Sequence, residues 1–256
     1  MRKIRLVIEY DGTAYRGWQI QKKELMTVQG IIEDRISGLT GEKLRVIGAS
    51  RTDAGVHAFG QVAAFRTKSR LDTETIKRAL NALLPLDIRI IDVFEAEDSF
   101  SPRYSAVRKS YFYVVANQRE STAFLFRYAW LVQQPLDLKS MIKASKVLIG
   151  THDFSTFMGT GSSIKNTVRE IFSLNIEKFN QIDFMTVGMT GEFIKISIEA
   201  DGFLRHMVRN IVGTLVETGR GNFSESSMME ILAARNRRLA GPTAPPNGLY
   251  LEKIIY

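Results

Sequence analysis

From Lys3 onward, apolar and polar positions alternate. Ile4, Leu6, Ile8 and Tyr10 fall on one face of an extended chain, and Asp11-Gly12 is a turn signal, which predicts a strand over the first ten residues. The spacing then changes to threes and fours. Val28, Ile31, Ile32, Ile36 and Leu39 form one stripe, with Thr27 placed to cap the helix and Gly41 to stop it. A strand is predicted over 44–47, followed by an irregular stretch of small residues, then a strand over 61–65. A second helix covers 73–83, opened by Thr73 and stopped before Pro85, and a strand covers 88–95. The order is βαββαβ, the ferredoxin-like pattern.

The second half follows a looser version of the same order. Tyr111 to Ala116 is apolar on both faces, as expected of a strand inside a sheet. A helix is predicted over 137–149 and strands near 168–178, 182–188 and 193–199. A strong helix over 205–218 carries Leu204, Val208, Ile211 and Leu215, a short one lies near 224–234, and a strand over 249–255 closes the chain. The segment 241–248 (GPTAPPNG) reads as a loop returning to that strand. The expectation is an α+β protein of two ferredoxin-like (βαββαβ) units, 1–105 and an embellished 106–256. Their antiparallel sheets would join across a central cleft, a common place for a site. No sequence repeat links the halves.

Composition narrows the chemistry. The 256 residues are 45% hydrophobic, enough to build a sizeable core. No apolar run approaches the ~20 residues that span a bilayer. Charges at Arg2, Lys3, Arg5, Glu9 and Asp11 interrupt any signal-peptide core, so a cytoplasmic protein with no membrane partner is expected. Cysteine is absent, which excludes disulfides, thiolate nucleophiles and cysteine-bound zinc. Lys plus Arg outnumber Asp plus Glu by 35 to 27, a net charge of +8, and a polyanion such as nucleic acid is the partner that charge favours. His57, His152 and His206 lie too far apart in sequence to read as a metal set, and no metal is expected. Trp18 and Trp130 read as packing or interface residues.

The segment 48–61 (GASRTDAGVHAFGQ) is poor helix and poor strand. Arg51 and Asp53 sit two apart within it. An Asp before Ala-Gly is ordinarily a turn residue that caps its own backbone. The functional alternative is a carboxylate kept ionised by a neighbouring guanidinium, as a nucleophile or general base must be. Arg205 and Arg209 are four apart on a predicted helix, a spacing suited to phosphate or carboxylate.

The string Arg51-Thr52-Asp53-Ala54-Gly55-Val56-His57-Ala58 resembles the signature of the TruA family of transfer RNA pseudouridine synthases. Further matches follow in order along the chain: Tyr10-Asp11-Gly12 with Gly17-Trp18-Gln19; Thr27-Val28-Gln29-Gly30; Lys109, Tyr111 and Tyr113; Gly150, His152, Asp153, Phe154 and Phe157; Lys165, Thr167, Val168 and Arg169; Phe203 to Asn210; and Ala244-Pro245-Pro246 with Gly248-Leu249. Ser50 and Pro102 depart from the family pattern, where Gly and Ala are more usual. The resemblance implies isomerisation of uridine to pseudouridine at tRNA anticodon-arm positions 38, 39 and 40, by a homodimer that needs no cofactor and no metal. It further implies Asp53 as nucleophile or base and Arg51 as its orienting partner. Tyr111 would contact the base, with Arg205, Arg209, Lys165 and Arg169, and less directly Arg103 and Arg108, as RNA contacts.

Overall fold

The computed structural model describes residues 1–21, 25–120, 122–161, 164–184 and 186–256. They form a mixed α+β protein with five α-helices among the described residues. Contacts gather them into two compact units: unit 1 is Met1–Lys109 with Tyr250–Tyr256, and unit 2 is Ser110–Leu249.

Unit 1 runs β1 (Arg2–Tyr10), α1 (Val28–Thr40), β2 (Ile47–Gly48), β3 (His57–Thr67), α2 (Thr73–Leu83) and β4 (Ile88–Ala96). The inward residues of β1, Ile4, Leu6 and Ile8, are fully buried with Ile32 and Ile36 of α1 and Ile76 and Leu80 of α2. β1 is central, antiparallel to β3 (Ile8↔Gln61, Tyr10↔Ala58) and to β4 (Lys3↔Ala96, Tyr10↔Ile88). On the other side of β3 lie β2, antiparallel, and a strand from the far end of the chain, β10 (Leu249–Ile255), parallel with Tyr250 opposite His57.

The ends of α1 are those the sequence predicts. The Thr27 side chain accepts from Gly30 N–H, and Gly41 closes the helix at φ 70. At α2 the cap is Asp72 rather than Thr73, with Asp72 Oδ1 accepting from Thr75 N–H at 2.8 Å. Both are good capping residues, and the carboxylate one position earlier takes the role. The strand expected over 44–47 contracts to Ile47–Gly48.

Unit 2 contains β5 (Arg108–Ala116), β6 (Trp130–Leu131), α3 (Leu138–Lys146), β7 (Gly150–Asp153), β8 (Val168–Phe184), β9 (Val187–Ala200), α4 (Met207–Gly219) and α5 (Ser227–Ala233). Its strands order β5-β9-β8-β7, with β6 beside β5. Three strands were expected between 168 and 199. Two are present, β8 and β9, a long antiparallel ribbon pairing Ile171 with Ala200 at its base and Phe184 with Val187 at its tip. α4 is the buried helix of this unit, with eleven of its thirteen residues buried. It begins at Met207, not at 205, because His206 adopts the left-handed conformation (φ 59) that ends the helix on that side. The 241–248 loop lies against it. A Cβ on Gly213 would come within 1.7 Å of the Pro242 carbonyl oxygen, and Gly241 N–H donates to Thr214 Oγ1 at 2.9 Å. Among the described residues no helix is long and apolar enough to cross a membrane.

Candidate active site

The stretch 48–61 leaves β2 and returns as β3, and its backbone is fastened from several sides. The buried Gln61 side chain brackets Ser50: its Oε1 accepts from Ser50 N–H at 3.2 Å and its Nε2 donates to the Ser50 carbonyl at 2.8 Å. Ala49 N–H donates to Val62 O at 2.8 Å, and Lys109 Nζ donates to the Ala49 carbonyl at 2.7 Å. Thr52 is held through main chain and side chain together. Its carbonyl accepts from Trp18 N–H at 3.1 Å, and its hydroxyl pairs with the buried Tyr10 hydroxyl at 2.8 Å.

Asp53 opens a tight turn. Val56 N–H donates to the Asp53 carbonyl at 3.2 Å, and Gly55 supplies the positive φ (78) that the third position of such a turn demands. Gly55 N–H reaches Tyr15 O at 3.3 Å. The far side of the turn rests on Gly12, where a Cβ would lie 2.0 Å from the Val56 carbonyl oxygen. His57 is buried. Its Nδ1 accepts from Gly12 N–H at 3.1 Å and lies 3.1 Å from Asp11 Oδ1, while its ring stacks on Tyr250 at 4.8 Å. Tyr15 is fixed in turn by its hydroxyl, which donates to Asp87. Burial and that carboxylate push its ionisation well above the usual tyrosine range. In this frame Asp53 is half-buried and Arg51 exposed. Of the two sequence readings of Asp53, the turn is present in the backbone.

Of the other sequence-predicted residues, Arg103 and Arg108 lie in unit 1, and Tyr111, Lys165, Arg169, Arg205 and Arg209 lie in unit 2, three of them around one link between β9 and α4. Phe203 meets the buried ring of Tyr111 edge-on at 5.1 Å. Beside it, a Cβ on Gly202 would stand 3.6 Å from Arg169 Nε. The exposed Arg205 donates through Nη1 to the Thr160 carbonyl at 3.0 Å, and Gly159 N–H donates back to Arg205 O at 2.8 Å. Arg209 sits in the first turn of α4, and its Nε donates to the Ala244 carbonyl at 2.7 Å. Because α4 begins after His206, Arg205 and Arg209 are not successive turns of one helix, as the sequence suggested; Arg205 belongs to the link. Arg169 Nη1 donates to the Asn166 carbonyl at 3.1 Å and to that of Val168. Lys165, Arg103 and Arg108 are exposed. Tyr113, read as core, is fully buried, with its hydroxyl on the Pro245 carbonyl at 2.7 Å. Trp18 is buried with Gly48 against its indole.

Several supporting residues escaped the sequence reading. Gln61, Tyr10 and Tyr15 act across 11 to 42 positions. In unit 2, Asn210 at the start of α4 donates to Phe157 O at 2.7 Å and accepts from Arg237 at 3.0 Å and Thr243 at 2.6 Å. Burial draws Arg237 below the ordinary arginine range. Asp153 accepts from Thr167 Oγ1 at 2.6 Å and Ser155 N–H at 3.0 Å and pairs with Arg235 at 3.1 Å. Burial opposes its charge, but these partners outweigh it and hold the carboxyl below its usual range. The neighbouring His152 bonds to the Ile149 carbonyl at 3.0 Å. No group of His, Cys, Asp and Glu suited to a metal ion occurs among the described residues.

The family model described as tRNA pseudouridine synthase matches residues 6–105 and 144–256. Full-length relatives include the tRNA pseudouridine synthases A of Thermoanaerobacter sp. (strain X514), 47% identical, Acetivibrio thermocellus, 45%, and Thermodesulfovibrio yellowstonii, 43%. Each alignment covers 100% of both chains.

Proposed function

The chain belongs to the tRNA pseudouridine synthase family, and from that premise we propose that Asp53 is the carboxylate with which it isomerises uridine to pseudouridine in tRNA, at anticodon-arm positions 38, 39 and 40. The reaction breaks the bond between ribose C1′ and uracil N1, turns the base, and joins C1′ to C5. C5 loses its proton and N1 gains one, so substrate and product are isomers and no co-reactant enters. Cleavage develops positive charge at C1′, which an anionic oxygen stabilises or traps. Asp53 supplies that oxygen, as nucleophile at C1′ or as base toward a ribose proton.

The observation that carries this reading is the turn itself. Its backbone is tied to Tyr15, Trp18 and Gln61 and the Thr52 side chain to Tyr10, so the carboxylate keeps its position without help from the substrate. Arg51, two residues away and exposed, orients Asp53 and approaches the flipped base. The target nucleotide must leave its stack, which costs a few kcal/mol and least at a loop or stem end, as in the anticodon arm. Tyr111 takes the face of the uracil, and Arg205, Arg209, Lys165 and Arg169 hold the RNA backbone. This assignment draws on both units, which we take as two ferredoxin-like folds divided near residue 105. The element order of unit 1 supports its half of that reading. The enzyme works as a cytoplasmic homodimer.

The test is tritium release from C5-labelled uridine in unmodified tRNA, without added metal, by the protein and by Asp53→Asn. The protein releases tritium and forms carbodiimide-reactive pseudouridine at the three positions. Asp53→Asn loses roughly 10³-fold or more in turnover while still binding tRNA. Full activity in Asp53→Asn overturns the assignment.

A further inference from the structure

Between β4 and β5 the chain makes a small turn that takes no part in the chemistry above. Ser105 N–H donates to Ser101 O at 2.9 Å, Ser101 N–H to Ser105 Oγ at 3.0 Å, and Tyr104 N–H to Ser101 Oγ at 3.4 Å. The turn is anchored from below. Tyr256 donates its hydroxyl to the Pro102 carbonyl at 2.9 Å and packs its ring on Phe100 at 4.9 Å, and Lys3 Nζ donates to Phe100 O at 2.8 Å. The rigid base presents a tyrosine to solvent. Tyr104 is 81% exposed, and the Arg103 guanidinium lies over its ring at 5.4 Å.

Folding alone does not account for an aromatic ring held out on a fixed turn, since ring burial is what an aromatic contributes to stability. The surroundings carry both signs: a cavity of about 410 Å³ beside the turn is lined by Arg5, Glu95, Glu97 and Ser105 among others, and Arg66 pairs with Asp98 at 2.8 Å. At the same end of β1, a cavity of about 400 Å³ is lined by Met1, Arg2, Thr67, Lys68, Ser69 and Arg70, and Lys68 and Arg70 are exposed. β1 spans nine residues, about 26 Å at about 3.3 Å per residue. The Tyr104 turn follows Ala96, which pairs with Lys3 near one end of β1; Gly12, which supports the Asp53 turn, lies just past the other.

We propose that Tyr104 is a stacking platform for an unpaired base of the tRNA substrate, with Arg103 on the adjoining phosphate, at a contact remote from the isomerised uridine. The proposal rests on the tRNA isomerase reading and extends it. A preformed ring stacks a base with little ordering cost, every base offers a face to it, and the adjoining Arg103 guanidinium suits the polyanionic backbone. Remote contacts of this kind add binding and leave the chemical step alone.

The experiment compares the full-length protein with Tyr104→Ala, Tyr104→Phe and Arg103→Gln. It measures Kd for unmodified tRNA over a range of salt, together with initial rates. Tyr104→Ala weakens binding roughly tenfold and places the loss in KM rather than kcat; Tyr104→Phe, which keeps the ring, binds as the unaltered protein does. Arg103→Gln lowers the salt slope by about one. A Tyr104→Ala Kd within twofold of the unaltered protein overturns the proposal. So does equal weakening in the Ala and Phe variants, which would assign the effect to the hydroxyl. Unchanged tRNA affinity with altered self-association would make the turn a contact between copies of the chain, and also overturns it. Binding without any pseudouridine would defeat the isomerase reading while leaving the Tyr104 comparison legible in Kd.

Discussion

Two stretches carry several of the residues proposed for the reaction, 48–61 in unit 1 and 202–210 in unit 2, and the ties described for them differ. Around Asp53 other residues fasten the segment: Gln61 on the Ser50 backbone, Trp18 on the Thr52 carbonyl, Tyr10 on the Thr52 hydroxyl, Tyr15 on the Gly55 backbone, Gly12 against Val56. Around α4 the two arginines proposed to contact RNA are themselves used as ties, Arg205 to Thr160 O and Arg209 to Ala244 O. The difference matches the demands on each. A carboxylate that must meet one carbon needs a fixed backbone, whereas an arginine that holds a phosphate has five donors and can keep one bond to its own protein while offering others.

The contrast is open to attack at its strongest point first. Gly12→Ala puts a methyl group 2.0 Å from the Val56 carbonyl oxygen, so backbone must shift to admit it. We expect a stability loss of roughly 3 kcal/mol, read as a fall in Tm, and roughly a 100-fold fall in kcat from displacement of the Asp53 turn. Native turnover in this variant would mean that the turn tolerates movement, and the contrast would fail. Arg209→Met should do less. It removes the tie to Ala244 O, costs about 1 kcal/mol by chemical denaturation, and moves KM for tRNA more than kcat.

The smallest effect concerns Asp153, a carboxylate that works purely as a fastener in unit 2. Its folded pKa is depressed by Thr167, Ser155 and Arg235 against the opposition of burial. Its contribution is therefore fully present above the unfolded value, about pH 4, and is lost as pH falls through the lower folded value. Thermal melts of Asp153→Asn and the unaltered protein should differ most near neutrality and converge on acidification below about pH 4. A difference that grew on acidification would reverse the sign assigned to this group.

Much of this was legible in the sequence wherever structure depends on neighbours. Thr27 and Gly41 bound α1 because capping is decided within a turn of chain. The alternation of Ile4, Leu6, Ile8 and Tyr10 marks β1 because one face is buried and the other is not. The β8–β9 ribbon lost that signal. Glu177, Lys178, Asn180, Gln181 and Asp183 are polar without alternation, and the register shifts between Phe179 and Gln181, so the stretch looked like a strand break. At the site, Arg51 and Asp53 stood out through their motif, but the residues that immobilise them did not. Tyr10 meets Thr52 across 42 positions, and no local pattern announces a pairing of that separation. The start of α4 was misplaced because a left-handed His206 leaves no mark in composition.

The strand β10 has a temporal consequence. It supplies the neighbour of His57 in unit 1, yet it is encoded after the whole of unit 2. On the ribosome, the segment bearing Asp53 emerges early and must wait for some 140 further residues, 110 to 249, before Tyr250 can stack on His57. A nascent chain thus carries the 48–61 loop in an unfinished sheet until translation is nearly over, and joining the last strand is the step that completes it.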